Sequence, residues 1–126
     1  MNQVISDRAQ ILRSALELDR PLENVLSELA QLPWDSELAP VTLEPAHVIG
    51  ILHRFKSGSL NAQDVETWAN AIEGREDIAF HPESRAALKE AIFELANPDL
   101  QGALTAETVD RWIAYLSSEL PKSDAY

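Results

Sequence analysis

Glu44 and His47 stand three residues apart, the spacing with which helical carboxylates and imidazoles hold paired iron ions in carboxylate bundles. Such a centre needs a second Glu-x-x-His and two further inward glutamates, and no second Glu-x-x-His occurs. His47 and His53 fall about 240° apart around a helix, so they share no ligand face. His81 precedes Pro82 and reads more simply as a helix-start residue. No metal site is expected from this set. Nucleophilic chemistry has little more to work with. There is no cysteine, no Gly-x-Ser-x-Gly elbow and no glycine-rich phosphate loop. A pair of carboxylates acting on a sugar would need an enclosed, aromatic-lined cleft, whereas Trp68 and Trp112 sit on faces that read as core. The expectation is a protein without catalytic residues or cofactor, and not an enzyme.

The elements that would position any binding residues are read from periodicity and turn signals. Apolar residues recur at helical spacing through most of the chain. A first helix is expected over 4–18, with Val4, Ile5, Ile11, Leu12, Ala15 and Leu16 as its apolar set. Pro21 then suits the first turn of a second helix carrying Leu22, Val25, Leu26 and Leu29. Residues 33–44 contain two prolines and read as a loop or short extended segment, with Trp34 as a lid over the core. A third helix is expected from Pro45 to Gly58, a left-handed cap, burying Val48, Ile51, Leu52 and Phe55. Gly50 within it would permit close helix packing. Asn61 with Asp64 three residues on forms a capping-box pattern for a fourth helix that buries Val65, Trp68, Ala69 and Ile72 and ends at Gly74. Residues 75–82 form a connector with an extended possibility at Ile78–Phe80. A fifth helix runs from about Pro82 to Ala96, and a sixth opens at Thr105 and buries Val109, Trp112, Ile113 and Leu116.

Residues 58–68 and 102–112 echo one another, sharing glycine, leucine, alanine, valine and tryptophan at matching positions. The likeness fades outside that stretch, which favours convergence on one good helix start over duplication. The fold class is all-α: a single-domain bundle of five or six short amphipathic helices spanning 1–126, with a flexible tail at about 121–126.

Charge narrows the function. The 126 residues carry 21 acids against 10 bases, a net charge of −11, and the second half holds most of the excess. Such a chain repels phosphate backbones and anionic lipid, and it attracts basic proteins quickly at low salt. No nucleic-acid or membrane partner is expected. A helix–turn–helix reader at 45–73 is disfavoured because no Lys or Arg occurs from 62 to 73. The absence of cysteine is compatible with a reducing cytoplasm, and residues 1–20 lack a signal-peptide core. With Leu88 at the centre of the buried face of the fifth helix, Glu83, Glu90 and Glu94 fall together at about 200–240°. Arg85 and Lys89 lie on a separate flank, and Phe93 projects to about 140°. Glu66 and Glu73 share a polar flank of the fourth helix, followed by Glu76 and Asp77. An acidic stripe alone is an ordinary solvated face, but an aromatic beside one has the makings of an interface anchor. The expected partner-binding residues are therefore Glu66, Glu73, Glu76, Asp77, Glu83, Glu90, Phe93 and Glu94. Charge reversal at Glu90 and Glu94 is expected to slow association and leave the melting temperature nearly unchanged.

The stretch from Ile51 to Trp68 (Ile-Leu-His-Arg-Phe-Lys-Ser-Gly-Ser-Leu-Asn-Ala-Gln-Asp-Val-Glu-Thr-Trp) resembles the helix–turn–helix opening of bacterial immunity proteins of the colicin D and contact-dependent growth inhibition type. The shared features are an apolar helix ending in phenylalanine, a small-residue turn, a leucine before a polar cap and an acid-rich helix. The resemblance implies a small, acidic, helical cytoplasmic protein that binds and neutralises one cognate toxin, often a basic nuclease. The alternative reading is a non-catalytic helical adaptor or subunit of a larger bacterial complex. The sequence leaves the oligomeric state open.

Overall fold

The computed structural model describes residues 3–33, 39–98 and 104–119. Among them are six α-helices and one two-stranded sheet. Helices α1 (Gln3–Glu17) and α2 (Leu22–Leu29) form the first pair. The chain reverses between them at Leu18, which takes a left-handed φ of +49°. That conformation costs a non-glycine residue about 1–2 kcal/mol. It is countered by near-complete burial of the Leu18 side chain and by two hydrogen bonds. The Leu18 N–H donates to the Ser14 carbonyl at 2.7 Å, and the Arg54 guanidinium donates to the Leu18 carbonyl at 2.6 Å. The buried Trp68 indole donates to the Ala15 carbonyl at 2.8 Å, so two residues from later helices satisfy the free carbonyls at the end of α1.

Strand β1 (Val41–Leu43) leads into α3 (Pro45–Ser57), then α4 (Ala62–Ile72). Strand β2 (Ile78–Phe80) leads through a 3-10 turn (Pro82–Ser84) into α5 (Arg85–Ala96) and then α6 (Ala106–Ser117). The strands pair in parallel, Val41 with Ile78 and Leu43 with Phe80. The segments expected to be extended are thus the two strands of one ladder. Each strand is followed by a residue and a proline, then a helix, then a capped helix carrying a buried tryptophan. Asn61 Oδ1 accepts from the Asp64 N–H at 2.8 Å, and Thr105 Oγ1 accepts from the Thr108 N–H at 3.2 Å. The likeness between residues 58–68 and 102–112 therefore extends to the order of the elements around them. Helix α4 packs chiefly on α5, and α3 on α6.

The core runs through every element, from Leu12 and Leu16 through Leu43, Leu52 and Trp68 to Leu88, Ile92 and Leu116. Gly58 (φ +88°) and Gly74 (φ +86°) end α3 and α4 in the left-handed region where glycine avoids a Cβ clash. Gly50 corrects the expectation of close packing: a Cβ there would meet nothing within 4 Å. Phe55 is half-buried rather than enclosed. The α-helical part of the fifth helix begins at Arg85 instead of Pro82. Ser84, whose hydroxyl would cap it, is buried and points to the Glu119 carbonyl, 3.5 Å away. Trp34 and the 121–126 tail lie outside the described residues.

Glu44 and His47, spaced as metal ligands would be, serve instead at the start of α3. The Glu44 N–H donates to His47 Nδ1 at 2.9 Å, and the Glu44 carboxylate lies 3.0 Å from His81 Nδ1 at the end of β2.

One interaction spans the fold. Asp77, fully buried, accepts from Arg75 Nε and Nη2 at 2.9 Å each and from Arg8 Nη1 at 2.6 Å. Arg75 also donates to the Pro33 carbonyl at 3.1 Å. This corrects the sequence expectation for Asp77: its carboxylate cannot meet a partner because two guanidiniums enclose it. Removing one member of a buried ion group leaves uncompensated charge and costs about 3–5 kcal/mol. Asp77→Ala should lower unfolding free energy by that amount in urea denaturation, while exposed Glu76→Ala should change it by less than about 0.5 kcal/mol.

Burial pushes the half-buried His47 imidazole below its ordinary pKa, against the opposing pull of Glu17 and Glu44. The unfolded chain then takes up this proton first as pH falls, so the contribution is full above about pH 6.5 and is lost below it. Melting temperature should fall on acidification through that value. His47→Gln, which keeps an acceptor for the Glu44 N–H, should flatten the fall relative to wild type; identical profiles would refute the assignment.

Candidate protein-binding face

The outer side of α5 is divided by charge, as its helical phase requires. Glu90 and Glu94 lie on the flank facing α6, Arg85 and Lys89 on the flank facing β2, and Phe93 on the crest between them. Glu90 and Glu94 join Arg111, Trp112 and Tyr115 of α6 around a groove of about 370 Å³. The Trp112 and Tyr115 rings are 5.7 Å apart and tilted by 58°, within the range of favourable aromatic pairs. Phe93 and Tyr115 are the large hydrophobic side chains exposed among the described residues, at 43% and 46%. Phe93 shares α5 with these acids, and Tyr115 stands on the facing α6.

Glu94 is held in place rather than free. Trp112 Nε1 donates to its Oε2 at 2.6 Å, and Arg111 Nη2 donates to the same atom at 3.3 Å. The buried indole thereby finds its acceptor, and Arg111 offsets part of the carboxylate's charge. Glu90 is exposed and forms no ion pair among the described residues. A smaller crevice of about 160 Å³ brings Glu66 of α4 beside Glu94, with Leu95 and Thr108 in its walls. The acids therefore continue from α5 to α4, while α6 contributes Arg111, Trp112 and Tyr115.

The other predicted residues are scattered. Glu73 is half-buried and lines a separate cleft on the cationic flank. Glu76 is exposed in the turn before β2. Glu83 sits in the 3-10 turn rather than in α5, with its side chain 92% exposed and His81 Nε2 3.7 Å away. Of the eight expected positions, Glu66, Glu90, Phe93 and Glu94 belong to one region, Glu73, Glu76 and Glu83 lie apart from it, and Asp77 is buried. Tyr115 was missed by sequence reasoning. Its signal was present: it stands three residues after Trp112 on α6, on the side away from Val109 and Leu116.

No family model, curated protein or solved structure matches the chain. Among the described residues, no helix is long and apolar enough to cross a membrane, and no cluster of three His, Asp or Glu side chains is arranged for a metal ion.

The tie between Glu94 and Trp112 revises the expectation that charge reversal at both glutamates is structurally silent. A hydrogen bond to a charged group contributes about 1.5–3 kcal/mol. Trp112→Phe and Glu94→Lys should each lower unfolding free energy by about 2 kcal/mol, whereas Glu90→Lys should move it by less than about 0.5 kcal/mol. Thermal and urea denaturation of the three variants check this ordering.

Proposed function

We propose that this protein is a non-catalytic immunity protein that neutralises a cognate bacterial toxin in the cytoplasm, and that the toxin is a basic nuclease domain bound across the α5–α6 face. The observation that carries the reading is the coincidence of Phe93 and Tyr115, both exposed, with Glu90 and the Glu94–Trp112 pair on two adjacent helices. Aromatic side chains are favoured interface anchors because they bury large rigid area at little entropic cost. Carboxylates around them steer a basic partner to that face and disfavour nucleic acid. A nuclease must hold phosphates, so its working cleft is cationic, and an acidic ridge with aromatic anchors complements such a cleft in charge and in apolar content. The resemblance of residues 51–68 to colicin D-type immunity proteins supports the same reading. Those residues form the end of α3, the Gly58 turn and the first part of α4, which places Glu66 beside the proposed face.

The division of labour follows from exposure. Glu90, solvated at the rim, acts mainly on association rate and salt dependence. Phe93 and Tyr115 act on dissociation, because their area leaves water only once the complex has docked.

A tagged pull-down from cells co-expressing the neighbouring genes, eluted with a salt gradient, tests the reading. The expected result is one basic partner in equal amount whose toxic activity is silenced on binding. Phe93→Ala should then weaken binding by about tenfold or more through faster dissociation. Glu90→Lys should instead slow association severalfold and flatten its salt dependence. Recovery of no partner, or of a large assembly without a toxic member, would overturn the proposal in favour of a helical adaptor.

A further inference from the structure

On the other flank of α5 a cleft of about 460 Å³ opens between this helix, the Gly74 turn and β2. Its apolar lining comes from Ile78, Phe80 and Ile92. Arg85 and Lys89 stand on one wall, a single helical turn apart and both exposed. Among the described residues neither takes part in an ion pair, whereas Arg8, Arg20, Lys56, Arg75 and Arg111 each hold a carboxylate. Behind the cleft, Asp77 is shared by the Arg8 and Arg75 guanidiniums. Glu73 is the single carboxylate among the lining residues. In a chain of net charge −11, this is a local region of the opposite sign.

We infer that the cleft is a binding site for a small organic anion with an apolar body, of the aryl- or branched-alkyl-carboxylate class. The carboxylate is met by Arg85, whose planar fork suits it, and by Lys89 as a second charge. The apolar body covers Ile78, Phe80 and Ile92. The volume lies within the range of about 300–1,000 Å³ typical of small-molecule sites. A bare inorganic anion satisfies the cations but leaves the apolar lining wet, and a neutral apolar molecule covers the lining but leaves the cations without a partner. Both halves of the site are engaged only by a ligand that carries both. The inference does not rest on the proposed toxin-binding face, since Glu90, Phe93 and Glu94 line no part of this cleft.

The test is an NMR titration of the isotope-labelled protein with phenylacetate up to about 20 mM, a range that reads weak binding. Saturable shifts confined to amides of residues 73–80 and 85–92 are expected. 2-Phenylethanol, which lacks the charge, and inorganic phosphate, which lacks the body, should each bind at least about tenfold more weakly. The double variant Arg85→Gln/Lys89→Gln should lose at least about tenfold in phenylacetate affinity with its melting temperature unchanged. Absence of saturable shifts, equal binding of the alcohol or of phosphate, or undiminished binding by the double variant would each overturn the inference. The comparison of the three ligands on the wild-type chain decides it alone should the double variant unfold.

Discussion

Asp77 is where distant parts of the chain meet. Its carboxylate is fully buried and bound by Arg75 from the turn before β2 and by Arg8 from α1, while Arg75 also reaches the Pro33 carbonyl beyond α2. A carboxylate so enclosed is tolerable only when opposing charge and hydrogen bonds replace the water it has lost. The geometry is therefore demanding. Arg75 must leave the left-handed Gly74 turn in the right direction, α1 must present Arg8 on its inner side, and the chain after α2 must bring Pro33 to the same point. Packing of apolar side chains tolerates rearrangement more readily than such a group does. The ion group accordingly fixes how the α1–α2 pair sits against the remainder of the domain.

It also fixes the start of β2, and through β2 the placement of both helical pairs. Two strands of three residues would not persist alone in water. They hold here because Leu43 and Ile78 are buried and the His81 N–H extends the ladder to the Leu43 carbonyl at 3.0 Å. Each strand hands over to a helix across a proline, at Pro45 and Pro82, so pairing the strands sets the starting points of α3 and of the turn that opens α5. The crosswise packing of α3 on α6 and α4 on α5 then closes the core around Trp68 and Trp112. The Glu44–His81 contact joins the same two strand ends.

What was legible in the sequence was local. Asn61, Thr105, Gly58, Gly74 and Pro45 act within a turn of where they stand, and the helix limits they imply are the limits observed, whereas Pro82 opens a 3-10 turn and α5 begins at Arg85. Helical phase likewise separated Glu90 from Lys89 and set Phe93 outside the core, because three-residue and four-residue offsets need no tertiary information. Most of the errors involve partners far along the chain. Asp77 looked like one more surface acid because Arg8 lies 69 residues away. Glu94 looked like a free carboxylate because its tie to Trp112 crosses 18 residues and two helices. Glu83 was given a helical phase that the 3-10 turn does not obey, since the hydroxyl of Ser84 is spent on the far end of α6. Gly50 shows the converse error, a packing role assigned to a position that faces open space.

The distribution of the cations follows from the same economy. Ten bases serve twenty-one acids, and most described bases are committed: two to Asp77, Arg20 to Glu28, Lys56 to Asp110, Arg111 to Glu94, and Arg54 to the end of α1. Arg85 and Lys89 remain uncommitted on the one helix that also carries Glu90 and Phe93. The result is a helix with opposite charges on its two flanks and an aromatic on the crest. Such a surface has a direction as well as a sign. A purely acidic face attracts a basic partner in many orientations, whereas a face bounded on one side by cations rejects the orientations that would lay positive charge over Arg85 and Lys89. Like-charge rejection of wrong poses would narrow an encounter with a basic partner to those that bring the aromatic crest into contact. Uneven placement, more than the size of the net charge, is what would make this surface selective.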